Sequence, residues 1–571
     1  MRTFRREPLL YGLALGLGLA VRLIQLGALP LNDLEAKWAL QALGVAQGTG
    51  PVLGSQPAYV MLTAILFYAY GGATNFLARL VPALVGSALI LAPRLFRDQL
   101  KPRPALILAF CLALEPGLVA LSRQAGSSIL AVTFLLLTWG LWARKQFSWA
   151  GVCAGLTLLS GAPLWEGLVA LTLTWAILQA WARNSRAAPP SGDTSASSRT
   201  ALRPELLRAF WNALGTIVVG GSLFFLAPGG LSAWLSGLPE YASGWVHPSD
   251  IPGGLMLFSL PAYQPLALIL ALIATVRGWI QGSLRVMRLS LWLIIALLVA
   301  VFYPAHQLAD LAWMLIPLWA LASSELARSL NVQPDERRDV LGVIAVSLLI
   351  LIFAWLNLLG LLQAPVPSQD ASLRTVVVFG SLFVLGVSLL LVAVGWSARI
   401  ARFGAVWGLA AALSAYSFSA LMSAAGLRSL PDGVDMWRSG GTLPEADLLL
   451  ASVNDMSDWS DTSIHSQPVT VVGIDSPALS WLLHERPLQA QDVLDPAAQP
   501  PMLITFNQDN ASLDAAYRGQ SFVWRRTPTW GQTAFGDWLH WLPFHQISQQ
   551  SETIILWVRS DLFLDSNPHK P

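Results

Sequence analysis

Long apolar runs constrain this chain more than any other feature. Thirteen of them, near residues 9–30, 76–96, 104–121, 127–143, 147–161, 164–182, 209–227, 257–276, 286–303, 309–327, 339–360, 375–396 and 403–425, approach or reach membrane-crossing length. Crossing the hydrocarbon core takes about 20 residues as a helix. The fifth is short. A soluble domain carries about 25% charged residues, whereas the 571 residues here are 12% charged, 54% hydrophobic and include 25 Trp. The chain reads as an integral membrane protein. After Arg2, Arg5 and Arg6 the first run reaches Leu29 with no A-x-A-like cleavage site, so it is expected to stay as a helix. Cys111 and Cys153 both fall inside apolar runs, where packing is the expected role.

One further apolar segment, Ala58 to Tyr70, has only 13 residues between Pro57 and Gly71-Gly72, a length that suits an interfacial or re-entrant piece. Loop charge settles its place. If it does not span, arginine-rich loops such as Arg94 to Arg103, Arg183 to Arg208, Arg277 to Arg288 and Arg399 to Arg402 all fall on the cytoplasmic side. The opposite loops before the tail then hold only Lys37, Arg123 and Arg374, with Arg79 just inside a helix. The expected fold is therefore an all-α polytopic membrane domain of about thirteen spans, with the N-terminus inside and the C-terminus outside.

The first external loop covers about 31–75, a second covers 228–256, and a polar cytoplasmic linker covers 184–204. Asp33 to Gln47 reads as an amphipathic helix with Trp38, Leu40, Ala42 and Leu43 available to the membrane surface, capped by Asn32 or Asp33. The membrane domain is placed at 1–427. Residues 428–571 read as a small external α/β domain, with strands at Val469–Val472, Met502–Phe506, Ser521–Trp524 and Thr553–Val558 and a helix at Pro477–Leu483.

Asp33 and Glu35 open the first external loop. Two positions apart on a helix, they do not share a face, so one could face a cavity while the other caps the helix. Arg123 lies in a short outward turn, where a guanidinium suits a lipid phosphate. Glu115 and Glu166 are acids at membrane depth, which ordinarily face a protein interior or a wet cavity. His306 and His247 lie on the outer side, where they could hydrogen-bond a diphosphate or a sugar. Neither His-x-x-x-His nor Glu-x-x-His occurs, so a protein zinc site is not expected, while Mg2+ or Mn2+ held through substrate phosphates stays open. P-loop, dinucleotide and Gly-x-Ser-x-Gly motifs are also absent from the sequence, and no nucleic-acid partner is expected.

The segment Pro30-Leu31-Asn32-Asp33-Leu34-Glu35-Ala36-Lys37-Trp38 resembles the Asp-Glu-Ala first-loop motif of GT-C fold glycosyltransferases, in particular the protein O-mannosyltransferase and aminoarabinose-lipid A transferase superfamily. Gln56-Pro57-Ala58-Tyr59, Ala78-Arg79-Leu80 and Leu121-Ser122-Arg123 extend the resemblance over about the first 180 residues. Leu34 stands where the family has its Asp, with Asp33 one position earlier, and Gln56 stands where a lysine is frequent. The resemblance implies transfer of a sugar from a polyprenyl-phosphate donor to a protein, lipid or glycan acceptor on the outer face of the cell membrane. It implies Asp33 or Glu35 as the acceptor-activating acid, and Arg123 with His306 at the donor phosphate. Lys37, Gln56, Tyr59, Arg79, Glu115, Glu166 and His247 are the further candidates to line such a cavity. Two other classes remain open: a flippase or transporter, and an inactive relative acting as a scaffold.

Overall fold

A computed structural model describes residues 7–184, 203–329, 336–364, 368–428, 433–459, 467–493, 499–507 and 515–563. Most of the expected linker at 184–204 lies outside the described residues. Up to residue 428 the described chain is helical, and after 442 strands appear.

Among the described residues five helical runs are long and apolar enough to cross a membrane: Asn75–Leu95, Pro163–Arg183, Leu284–Phe302, Arg337–Gln363 and Gln369–Ala424. Two bent pairs raise the number to seven: Pro102–Leu114 with Pro116–Ser122, bent by 57°, and Gly253–Tyr263 with Pro265–Ile280, bent by 92°. The region is a polytopic membrane domain, but helix length by itself does not reach thirteen spans. Other runs are too short, such as Ile129–Ala143 and Phe147–Leu158 at 15 and 12 residues. The 56-residue run from Gln369 breaks at Ser397, whose backbone is extended, and both legs pack along Arg337–Gln363.

Four helices open the first half: α1 (Glu7–Leu23), α2 (Asp33–Gln47), α3 (Pro57–Tyr70) and α4 (Asn75–Ala88). α3 has 14 residues, about 21 Å at 1.5 Å per residue, against a core of about 30 Å. α2 starts with a capping box, in which the Asn32 side chain accepts from Glu35 N and the Glu35 carboxylate accepts from Asn32 N. Its apolar face meets protein, contrary to the expectation of a membrane-surface helix: it packs on α3 and on the Pro477–Leu482 helix of the C-terminal region, and Trp38 lies across Gly126 and Gly54.

The C-terminal region is a mixed five-stranded sheet, β1 (Val469–Val472), β2 (Leu488–Gln491), β3 (Met502–Phe506), β4 (Tyr517–Pro528) and β5 (Gln549–Arg559), in the order β2-β1-β3-β5-β4. β1 pairs parallel with β2 and β3, whereas β5 pairs antiparallel with β3 and β4. The helix Pro477–Leu482 makes the β1 to β2 crossover, and Phe535–Phe544 lies between β4 and β5. Val469, Val471, Met502, Ile504, Ile554 and Leu556 bury the sheet against the neighbouring helices. This is the small α/β domain the strand pattern announces, with the short, mostly exposed β2 added at an edge.

Candidate functional site

The C-terminal end of α1 and the Glu115 break are tied by arginines. A helix leaves its last four carbonyls without internal partners, and Arg123 takes two of those of α1 and two just beyond its end. Its Nη1 donates to Val21 O, Arg22 O and Ile24 O at 3.0, 2.9 and 2.8 Å, and its Nη2 to Gln25 O at 3.2 Å. Burial lowers its pKa to about 10, so it stays charged at neutral pH. Arg22, fully buried, does the same for the break at Glu115: it donates to Leu112 O, Ala113 O and the Ser122 hydroxyl. Glu115 caps the helix after the break by accepting from Leu118 N, and it accepts from Gln264 Nε2 at 2.7 Å. Gln264 sits at the break of the second bent pair, so the two interrupted helices touch at their interruptions.

The two first-loop acids part company. Glu35 Oε1 accepts from Arg79 Nε at 2.7 Å and Ala125 N at 3.0 Å, and Oε2 accepts from Arg79 Nη2 at 2.6 Å and Asn32 N at 3.5 Å. The remaining donors of Arg79 reach Leu26 O, Leu29 O and Pro30 O, so all five of its N–H groups are used. Asp33 points to the C-terminal domain. Its carboxylate accepts from the Ser476 hydroxyl at 2.6 Å and Ala478 N at 2.9 Å, and it pairs with Arg525 on β4.

A strap of residues 433–442 joins the last membrane helix to the sheet and is pinned from both sides. Val434 N donates to His545 O, Trp541 Nε1 to Val434 O, and Met436 N to the Tyr263 hydroxyl. Gln124 Nε2 donates to Trp437 O at 2.6 Å, and Asn32 Nδ2 to Ser439 O at 2.8 Å. Trp437 is 2% exposed, seated on Gly117 just past the Glu115 break and edge-on to Tyr263 at 6.1 Å. Gly440 and Gly441, at φ +94° and +74°, make the turn that brings Ser439 onto Asn32, where other residues would be strained.

Between strap, first loop and helix ends lies a cavity of about 370 Å³. Five arginines line it, Arg79, Arg123, Arg428, Arg438 and Arg526, against three carboxylates, Glu35, Asp435 and Asp447. Arg438 is placed by Gly426, itself at φ +68°: a side chain at that position would collide with the Arg438 Nη2. Among the described residues the Arg438 guanidinium has no hydrogen bond or ion pair, although Asp435 and Glu35 favour its charge while burial opposes it. Asp435 is 6% exposed; its Oδ1 accepts from Trp437 N at 3.0 Å, and its Oδ2 has no hydrogen-bond partner among the described residues. The Tyr263 hydroxyl, which accepts from Met436 N, lies beside the Asp435 carboxylate.

Of the residues singled out in the sequence, Glu35, Arg79 and Arg123 meet at this cavity. Asp33 is not among its lining residues. Lys37 is exposed beside the Trp38 ring. Gln56 precedes α3 and lies against Gly161, and the buried Tyr59 donates to Ala78 O at 2.8 Å. Glu166 is buried beside Asp310. His306 places its two ring nitrogens 2.7 Å from Tyr303 O and Ile251 O, and the exposed His247 contacts Ser243 O. None of Lys37, Gln56, Tyr59, Glu115, Glu166, His247 and His306 lines the cavity. Conversely, Asp435, Arg438, Arg428 and Arg526 carry no motif. The only trace in the sequence is charge returning just where the last apolar run ends. Among the described residues no group of three or more His, Cys, Asp or Glu could hold a metal ion.

No protein-family model matches this chain, and no curated protein does either. Solved structures do. The crystal structure of ArnT from Cupriavidus metallidurans bound to undecaprenyl phosphate superimposes with a TM-score of 0.55 at 12% identity, over 96% of this chain and 98% of that one. The fold is shared with ArnT. The apo structure of the same protein gives 0.52 at 13% identity with the same coverage. Nearly the whole length is matched, so the C-terminal domain belongs to the common architecture along with the helices. The chain thus shares the ArnT fold through both its helical region and its C-terminal sheet.

Proposed function

We propose that this protein transfers a sugar from a polyprenyl-phosphate donor to a protein, lipid or glycan acceptor on the extracytoplasmic face of the cell membrane. One observation carries this reading: an arginine-rich cavity, with an unpaired guanidinium at Arg438, sits at the junction of membrane helices and C-terminal domain. The ArnT fold, known with undecaprenyl phosphate bound, supports the donor class. The leaving group of such a donor is a phosphate that already bears charge, so cations held ready in a partly dry cavity stabilise its departure. Arg438 is the donor-phosphate ligand, with the outer edge of Arg123 beside it. Glu35 and Arg79 fix the rim, and Asp33 docks the C-terminal domain. Thirteen spans, an internal N-terminus and an external C-terminal domain complete the topology, in keeping with the loop charges.

The test is lipid extraction and mass spectrometry of material co-purified with the wild type and with Arg438→Gln. A polyprenyl-phosphate sugar retained by the wild type and depleted at least tenfold in the variant is the expected result. Bulk phospholipid alone in both would refute the proposal. The complete satisfaction of Glu35 also fits a second reading, a protein that binds the donor without turning it over. Retention of the donor with no consumption in membranes would favour that one.

A further inference from the structure

The cavity holds a second group that nothing above uses. Glu35 is filled by four bonds from Arg79, Ala125 and Asn32, and Asp33 is turned away to Ser476, Ala478 and Arg525 and does not line the cavity. Asp447 lines the cavity as well but is exposed to solvent. Asp435 differs from all three. It is 6% exposed, one oxygen is fixed by Trp437 N, and the other, Oδ2, has no partner among the described residues. A buried carboxylate oxygen left unpaired is costly unless a ligand satisfies it. The strap holds this carboxylate three residues before Arg438, and the two groups attract each other electrostatically. Carboxylate and guanidinium therefore share one wall of one cavity.

From this juxtaposition we infer that Asp435 is the acceptor-activating base, with Arg438 gripping the donor phosphate beside it; the inference rests on the sugar-transfer reading. In the step, Asp435 Oδ2 takes the proton of an acceptor hydroxyl as that oxygen bonds to the anomeric carbon. The bond from the anomeric carbon to the phosphate oxygen breaks, its electron pair leaves on the phosphate, and polyprenyl phosphate departs. The proton then passes from Asp435 to water. No oxidant, reductant or further reactant is needed. Trp437, wedged on Gly117 and against Tyr263, keeps the base in place through its backbone N–H.

The experiment uses cells deleted for this protein and complemented with the wild type, Asp435→Asn or Asp435→Glu, with polyprenyl-phosphate sugar measured in total lipid extracts. Each purified protein is also titrated with undecaprenyl phosphate by native mass spectrometry. The expected result is that Asp435→Asn accumulates donor to the level of the deletion, at least tenfold above the wild type, while binding undecaprenyl phosphate within threefold of it. Asp435→Glu recovers part of the turnover. Donor levels restored to normal by Asp435→Asn would overturn the role of Asp435 and leave the sugar-transfer reading standing. Loss of undecaprenyl phosphate binding in both variants would make Asp435 structural and overturn the inference too. If the deletion itself accumulates no donor, the sugar-transfer reading falls and this inference falls with it.

Discussion

Removing Glu35 and Arg79 singly and together tests how the rim of the cavity is held. Their side chains are 6% and 8% exposed, and the pair is bidentate, at 2.7 and 2.6 Å. Taking one member from a buried pair generally costs about 3–5 kcal/mol, because the other charge loses its compensation. Here Arg79 keeps three carbonyl acceptors after Glu35→Ala, which places that loss near the lower bound, roughly 3 kcal/mol. Arg79→Ala also strands the carbonyls of Leu26, Leu29 and Pro30 and belongs nearer 5 kcal/mol, with the same ~3–5 kcal/mol range as its basis. The double variant removes both charges, so the singles overcount by a coupling of about 2–3 kcal/mol. The assay is unfolding of the purified full chain in mixed micelles against increasing SDS, followed by tryptophan fluorescence. Additivity within about 0.5 kcal/mol would show that the two groups do not depend on each other, and the rim as described would be wrong.

Further expectations follow from the same contacts. Asp33→Ala removes three accepted bonds between α2 and the C-terminal domain, worth roughly 2 kcal/mol, so limited proteolysis should release that domain about thirtyfold faster; an unchanged rate would refute the docking role. Gly117→Ala should destabilise the protein by about 1–3 kcal/mol in the same SDS assay, since its Cβ would enter the Trp437 indole; wild-type stability would mean Trp437 is not seated there. Gly426→Ala should weaken undecaprenyl phosphate binding at least tenfold in native mass spectrometry by displacing Arg438, and equal binding would argue against Arg438 as a ligand.

Much of the architecture is written locally. The strands at Val469–Val472 and Met502–Phe506 announce themselves by β-branched and aromatic runs, and the start of α2 by Asn32 with Glu35 three residues on. β2, a four-residue exposed edge, carries no such pattern and was missing from the expected strands. The expected span count rests on hydropathy and loop charge, neither of which registers helices interrupted at Glu115 and Gln264 or shortened to 12 residues. For the candidate site, the two first-loop acids are near neighbours in the sequence, but the partners that separate them are not. Whether Asp33 faces a cavity or a neighbour depends on Arg525, 492 residues away, and no local pattern encodes that distance. Asp435 and Arg438 meet Glu35 and Arg79 only because the strap is pinned by Asn32, Gln124 and Tyr263.

The central claim is that this cavity receives the phosphate of a polyprenyl carrier. It is tested most directly by electron cryomicroscopy of the full chain in lipid nanodiscs supplied with undecaprenyl phosphate. The account predicts phosphate density within hydrogen-bonding distance of the Arg438 guanidinium, with the isoprenoid leaving toward the membrane. Density for the phosphate at another place on the protein, with Arg438 facing an empty cavity at saturating lipid, would contradict it.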